Sequence, residues 1–92
     1  MKFEWDQEKN LINQKKHKIS FETAAYVFED KNYIEMYDFE HSIDEDRYIA
    51  IGCVGEVLFV VFTERKENIR LISARLATES ERRLYYDQDI YY

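Results

Sequence analysis

Two arginines, Arg65 and Arg75, stand in runs otherwise rich in Val, Leu, Ile and Ala. A guanidinium in such a place can hold the oxygens of a phosphate with its planar fork. It can also tie down a carboxylate at the edge of a sheet, with Thr63 and Ser73 as polar neighbours. His17 carries an imidazole, which can give or take a proton. Lys9, Asn13, Lys16 and His17 are spaced i, i+4, i+7 and i+8, which puts them on one face of a helix, and Lys9 and Lys16 there can hold an anion. The same charges suit a helix C-terminus, where cations offset the macrodipole and His17 is a local cap. Glu81 is a second candidate base, and Tyr85, one turn later, a ring on which a nucleobase can stack. Both have structural alternatives, since Thr78 and Glu81 spell a T-x-x-E capping box and Tyr85 fits the packing face of the same helix. Cationic donors, an acid and a base are what phosphoryl chemistry needs in the absence of a metal. His17, His41 and Cys53 have no spacing that recurs in zinc sites, and no glycine-rich phosphate loop or nucleophile elbow occurs. No metal and no other cofactor is expected.

A small set of elements must position these groups. Phe3–Trp5 reads as a short opening strand, and Asp6 as the N-cap of a helix over about residues 7–17. Leu11, Ile12, Lys15 and Ile19 outline a thin apolar seam on it. Ser20 caps a second short helix, on which Phe21, Ala24, Ala25 and Phe28 form a stripe at i, i+3, i+4 and i+7. Four strands follow, roughly 33–39, 45–53, 56–65 and 69–76, with connections short enough for an antiparallel meander. A two-residue turn at Val54-Gly55 pairs Ile51 with Leu58 and Ile49 with Val60. A turn at Lys66–Asn68 pairs Phe62 with Ile72 and Glu64 with Arg70. A loop at His41–Asp44 pairs Met36 with Ile49 and Asp38 with Arg47. That register predicts one face of Ile34, Met36, Ile49, Ile51, Leu58, Val60, Phe62, Ile72 and Ala74, packed on the N-terminal helices. The opposite, mixed face carries Arg65 and Arg75 together. The chain closes in a helix with Ala77, Leu84, Tyr85, Gln88 and Tyr91 or Tyr92 on one side, and its aromatic tail suggests a partner surface. The expected fold class is α+β: two N-terminal helices on a four-stranded antiparallel sheet, with a short extra N-terminal strand, then a C-terminal helix.

Ninety-two residues with fifteen aromatic side chains are enough for one domain around one core, so the whole of 1–92 reads as a single domain. With no Pro and two Gly, disordered and collagen-like classes are excluded. A lone Cys53 offers no disulfide framework and fits a reducing cytoplasm. Residues 1–20 mix acids with lysines and hold no apolar signal core, and the longest apolar run, Val57–Phe62, is too short to span a membrane. A net charge of −6 argues against unguided nucleic-acid binding, because phosphates are repelled by a negative body. The charge is uneven, however. Residues 9–18 hold Lys9, Lys15, Lys16, His17 and Lys18 without an acid, while residues 29–46 hold eight acids against Lys31. A local basic patch on an acidic body is thus available.

In order along the chain, "FEWD" at 3–6, Lys9, Asn13, "KH" at 16–17, "SFETA" at 20–24, Phe28 and Asp30 resemble the first half of the BrnT toxins. "DRY" at 46–48, Gly52, "TER" at 63–65, Arg70, "ISAR" at 72–75, Ala77, "ER" at 81–82 and Tyr85 resemble the second half. The resemblance implies a RelE-like fold and a bacterial type II toxin, an mRNA endoribonuclease that halts translation, at the ribosome or away from it. It implies a cognate BrnA-type antitoxin that silences the toxin, with DNA contacted only through that antitoxin. By matching position it points to Lys9, Lys16, His17, Arg65, Arg75, Glu81 and Tyr85. The chain departs from the family pattern at Lys18, where Gly is usual after the Lys-His pair, and at Asp46, where most members carry Glu. Its acidic charge also departs from the basic character common in related toxins. That leaves a second expectation: a weak or inactive toxin homologue serving as a subunit of a DNA-binding antitoxin complex.

Overall fold

The computed structural model describes residues 1–88. β1 (Lys2–Glu4) leads into α1 (Gln7–His17), and the Asp6 side chain accepts from Glu8 N and Lys9 N as expected of an N-cap. Three basic residues fill the last turn of α1, and the helix ends at Lys18 with φ 62. That left-handed position is where glycine is most at ease, and Lys18 takes it here. α2 (Phe21–Ala24), capped by Ser20, continues into a 3-10 helix (Ala25–Glu29). β2 (Ile34–Tyr37), β3 (Tyr48–Val54), β4 (Glu56–Arg65) and β5 (Asn68–Leu76) form the meander, and α3 (Glu79–Asp87) follows. Among the described residues no helix is long and apolar enough to cross a membrane.

The class is α+β, but the sheet is five-stranded and mixed, in the order β1-β5-β4-β3-β2. The expected four-stranded antiparallel sheet is corrected by β1, which lies parallel to β5 with Phe3 opposite Ile69. This pairing joins segments far apart in sequence, so no local turn signal announces it.

Two local features shift the expected registers. Met36 does face Ile49. Gly55, at φ 74, reverses the chain alone between the paired Val54 and Glu56. One residue instead of two lies outside the ladder, so Ile51 faces Phe59 and Ile49 faces Val61. Across β4 and β5, Val60 opposite Ala74 keeps the expected offset. A bulge at Ile72 then moves Phe62 to Leu71 and Thr63 to Arg70.

A one-residue slip exchanges the faces of a strand. Ile34, Met36, Ile49 and Ile51 therefore turn away from the N-terminal helices and pack with Val57, Phe59 and Tyr85 under α3. The helix side is built instead from Tyr48, Ala50, Leu58, Val60, Phe62, Leu71 and Ala74 against Phe21, Ala24 and Val27. Gly52 lies where the 3-10 helix presses on β3. A Cβ there would come within 2.7 Å of Val27 Cγ1 and 2.9 Å of Tyr33 Cβ.

α1 inverts the expected pattern. Leu11 and Ile12 are 53% and 56% exposed, while Asn10 and Asn13 are buried. Of the proposed seam, only Ile19 enters the core. On α3, Leu84 is also exposed and Tyr85 alone is buried. Tyr91 and Tyr92, expected on the same face, lie outside the described residues.

Candidate active site

Two buried asparagines dock α1. Asn10 Oδ1 accepts from Phe21 N at 2.8 Å, and its Nδ2 donates to Glu22 Oε1 at 2.8 Å. Asn13 meets the sheet itself. β1 pairs with β5 only from Asn68 to Arg70, which leaves the edge of β5 beyond it without a neighbouring strand. There Ala74 N donates to Asn13 Oδ1 at 3.1 Å, and Asn13 Nδ2 donates to Ala74 O at 2.8 Å. The amide also donates to Ile19 O at 2.9 Å. One side chain thus does what a paired strand residue would do.

This docking leaves a groove of about 200 Å3 between α1 and the β5 edge, lined by Lys9, Ile12, Lys16, His17, Ile72 and Ser73 among others. The basic stripe read from helical spacing is therefore brought together, facing β5 at the bulge of Ile72 and at Ser73.

Arg75 stands two residues beyond Ser73 on the same face of β5, roughly 7 Å along the strand. Its guanidinium lies over the Phe59 ring, 3.9 Å from the centroid. Nη1 donates to Glu81 Oε1 at 2.8 Å and to Leu76 O at 3.1 Å, and Nη2 donates to Glu81 Oε2 at 2.9 Å. These bonds leave part of the five-donor fork unused. Glu81 in turn completes the capping box: Thr78 N donates to its Oε1, and Glu81 N donates to Thr78 Oγ1. The hydrogen bond from Arg75, aided by that from the Thr78 backbone, holds the Glu81 carboxyl below its usual range against the opposing effect of burial. A carboxylate stabilised in this way is a weak proton acceptor and a firm anchor for Arg75.

Two expected members lie elsewhere. Arg65 ends β4 opposite Asn68, whereas Arg75 lies opposite Phe59, so the two share a face but are separated by about 20 Å along the strands. Arg65 is bonded to Glu45 at 3.3 Å. The Tyr85 ring is buried against Ile51 and Val57, and its hydroxyl donates to Asp30, so it offers no open face for a nucleobase. Asp30 also accepts from Cys53 N at 2.7 Å and Asn32 N at 3.0 Å. Burial pushes its carboxyl up, but these bonds outweigh burial and the net shift is downward. One structural pairing changes as well. Arg70 bonds Glu4 at 2.8 Å in place of Glu64, because the bulge and β1 together rearrange its neighbours. Asp38 does stand opposite Arg47 as the register predicts, Asp38 N donating to Arg47 O, while the Asp38 carboxylate takes His41.

The edge-binding role of Asn13 and the anchoring role of Asp30 were not foreseen. Two asparagines at i and i+3 beside the exposed Leu11 and Ile12 were the available sign of a helix docked by amides.

Residues 5–81, most of the chain, match the model of a family described as the ribonuclease toxin, BrnT, of type II toxin–antitoxin systems. No curated protein matches the chain significantly.

Proposed function

Because the chain belongs to the BrnT ribonuclease toxins of type II toxin–antitoxin systems, we propose that it cleaves messenger RNA without a metal, in the groove between α1 and the β5 edge. The observation that carries this reading is the convergence of Lys9, Lys16, His17 and Ser73 on one groove, with Arg75 held rigidly two residues along the same strand.

Cleavage of this kind joins a ribose 2′-oxygen to the adjacent phosphorus and expels the 5′-oxygen of the next nucleotide. A proton leaves the 2′-hydroxyl and one reaches the departing oxygen, so the products are a 2′,3′-cyclic phosphate and a 5′-hydroxyl. Among the described residues lining the groove, His17 alone carries an imidazole, a group able both to give and to take a proton, and proton transfer is assigned to it. Lys9 and Lys16 hold the backbone phosphates. Arg75 takes up the charge that develops on the phosphorane oxygens through its unused donors. Glu81 and Phe59 fix the guanidinium plane, so Glu81 is a positioning residue. Arg65 and Tyr85 stand outside this arrangement.

Loss of mRNA halts translation, and a BrnA-type antitoxin in the same cytoplasm keeps the toxin silent. Contact with operator DNA belongs to that antitoxin. The net charge of −6 supports a second reading, in which a catalytically silent chain acts as a subunit of the antitoxin complex.

Expression in bacteria separates the two. The chain alone should arrest growth and generate RNA ends bearing 5′-hydroxyls, and His17→Ala should reduce cleavage by about 10²–10⁴-fold. Soluble protein that leaves growth and RNA intact defeats the ribonuclease reading.

A further inference from the structure

A second groove lies on the flank formed by β1. Alternation along β1 puts Phe3 and Trp5 on the helix side, where they meet the exposed side of α2 and the 3-10 helix. The space between them, about 400 Å3, is lined by Phe3, Trp5, Glu22, Ala25, Tyr26 and Glu29. It continues past Phe3 and Glu29 into a second hollow of about 320 Å3 reaching Met1 and Phe28.

The rings are fixed from behind. Phe3 lies on Phe28, with centroids 5.4 Å apart, and Trp5 meets Phe21 edge-on at 6.1 Å. Trp5 Nε1 donates to Gln7 Oε1 at 3.2 Å, which sets the plane of the indole. Tyr26 is 62% exposed over the groove. The lining holds two carboxylates and no cation. Glu22 Oε1 accepts from the buried Asn10, which orients that carboxylate. Aromatic faces with carboxylates at the rim attract a guanidinium or an ammonium group. They repel a phosphate backbone, so the groove is unsuited to RNA. β1 is also an edge strand, so its outer side carries no neighbouring strand.

We propose that this groove docks an extended basic segment of a partner protein, one Arg or Lys side chain seated among Phe3, Trp5 and Tyr26 and a second at Glu29. The elongated shape fits a segment and not a single small cation, since the two hollows share Phe3 and Glu29 and run alongside β1. A second copy of this chain is a poor occupant, because its basic run at Lys15–Lys18 is already folded into the end of α1. The toxin–antitoxin reading makes the antitoxin the source of the segment, and in that respect the proposal rests on it.

Trp5 is the single tryptophan of the chain and reports directly on the groove. Its emission is followed while a capped Arg-Thr-Arg-Thr-Arg peptide is added, with Glu-Thr-Glu-Thr-Glu as the control. The basic peptide should give a saturable change and the acidic one none. Glu29→Gln should weaken the basic peptide several-fold, and Glu22→Gln with Glu29→Gln at least tenfold. Tyr26→Ala should weaken it as well, while His17→Ala binds as the wild type does. Equal affinity of the wild type and the two Gln variants, or no saturable change, overturns the proposal. A Trp5 change that depends on protein concentration alone assigns the groove to a second copy and overturns it too. Growth arrest by the Glu22→Gln, Glu29→Gln protein expressed alone is scored separately. Absence of arrest by the wild type, scored alongside it, sinks the ribonuclease reading and leaves the peptide result standing.

Discussion

Asn13 concentrates three buried hydrogen bonds on one amide. Removing a partner of buried polar groups costs more than the bond itself contributes, because the remaining groups lose water and gain nothing. Asn13→Ala should therefore destabilise the fold by about 2–4 kcal/mol, read as a lower denaturant midpoint. The Ala74 amide should lose its protection from hydrogen exchange at the same time. At Gly52, a methyl group has nowhere to go, with Val27 Cγ1 2.7 Å and Tyr33 Cβ 2.9 Å from where it would sit. Gly52→Ala should cost about 1–3 kcal/mol through overpacking, measured in the same way. Arg75→Lys tests the proposed chemistry. Lysine keeps the charge but loses both the fork on Glu81 and the plane over Phe59, so cleavage should fall while the fold persists. Cleavage equal to the wild type would remove Arg75 from the site.

Among elements, α3 is tied to the rest at two carboxylates, Glu81 on Arg75 and Asp30 on Tyr85. Both carboxyls are held below their ordinary values in the folded chain. Such groups bind fewer protons folded than unfolded, so the stability they contribute is present above the usual carboxylate range of about 4 and is lost as pH falls through the lowered values. Tyr85 works in the opposite sense. Burial, then its bond to Asp30, raises its hydroxyl, so its contribution is present below about 10 and fades as pH rises above that. Asp30→Asn should flatten the acid limb of a stability-versus-pH curve, and its amide would leave one of Cys53 N, Asn32 N or the Tyr85 hydroxyl poorly matched. An unchanged acid limb would show that Asp30 is not the tie described.

The caps at Asp6, Ser20 and Thr78 were legible in the sequence because each joins residues two or three apart. The Met36–Ile49 register was legible for a related reason, since alternation on both strands agrees with it. The slip at Gly55 and the bulge at Ile72 were not. Each depends on the backbone geometry of one residue, and each changes which face of a strand meets the helices. In the site, helical spacing alone collected Lys9, Lys16 and His17. The separation of Arg65 from Arg75 depended on the offset between β4 and β5, which spacing along a single strand does not contain.

At the scale of the molecule, a body of net charge −6 offers RNA only a few cations. If Lys9, Lys16, His17 and Arg75 are the contacts, binding should depend on salt weakly, with a log–log slope of roughly −2 to −3 for single-stranded RNA. A much steeper slope would mean that further basic residues take part. The manner in which α1 is attached has a consequence of its own. Its buried side is amide, and its leucine and isoleucine face water. Hydrocarbon contacts weaken on cooling and account for the positive heat capacity of unfolding, whereas exposing polar groups lowers that heat capacity. The helix carrying the cationic groove should therefore hold to its strand in the cold, when the aromatic core behind it has already begun to loosen.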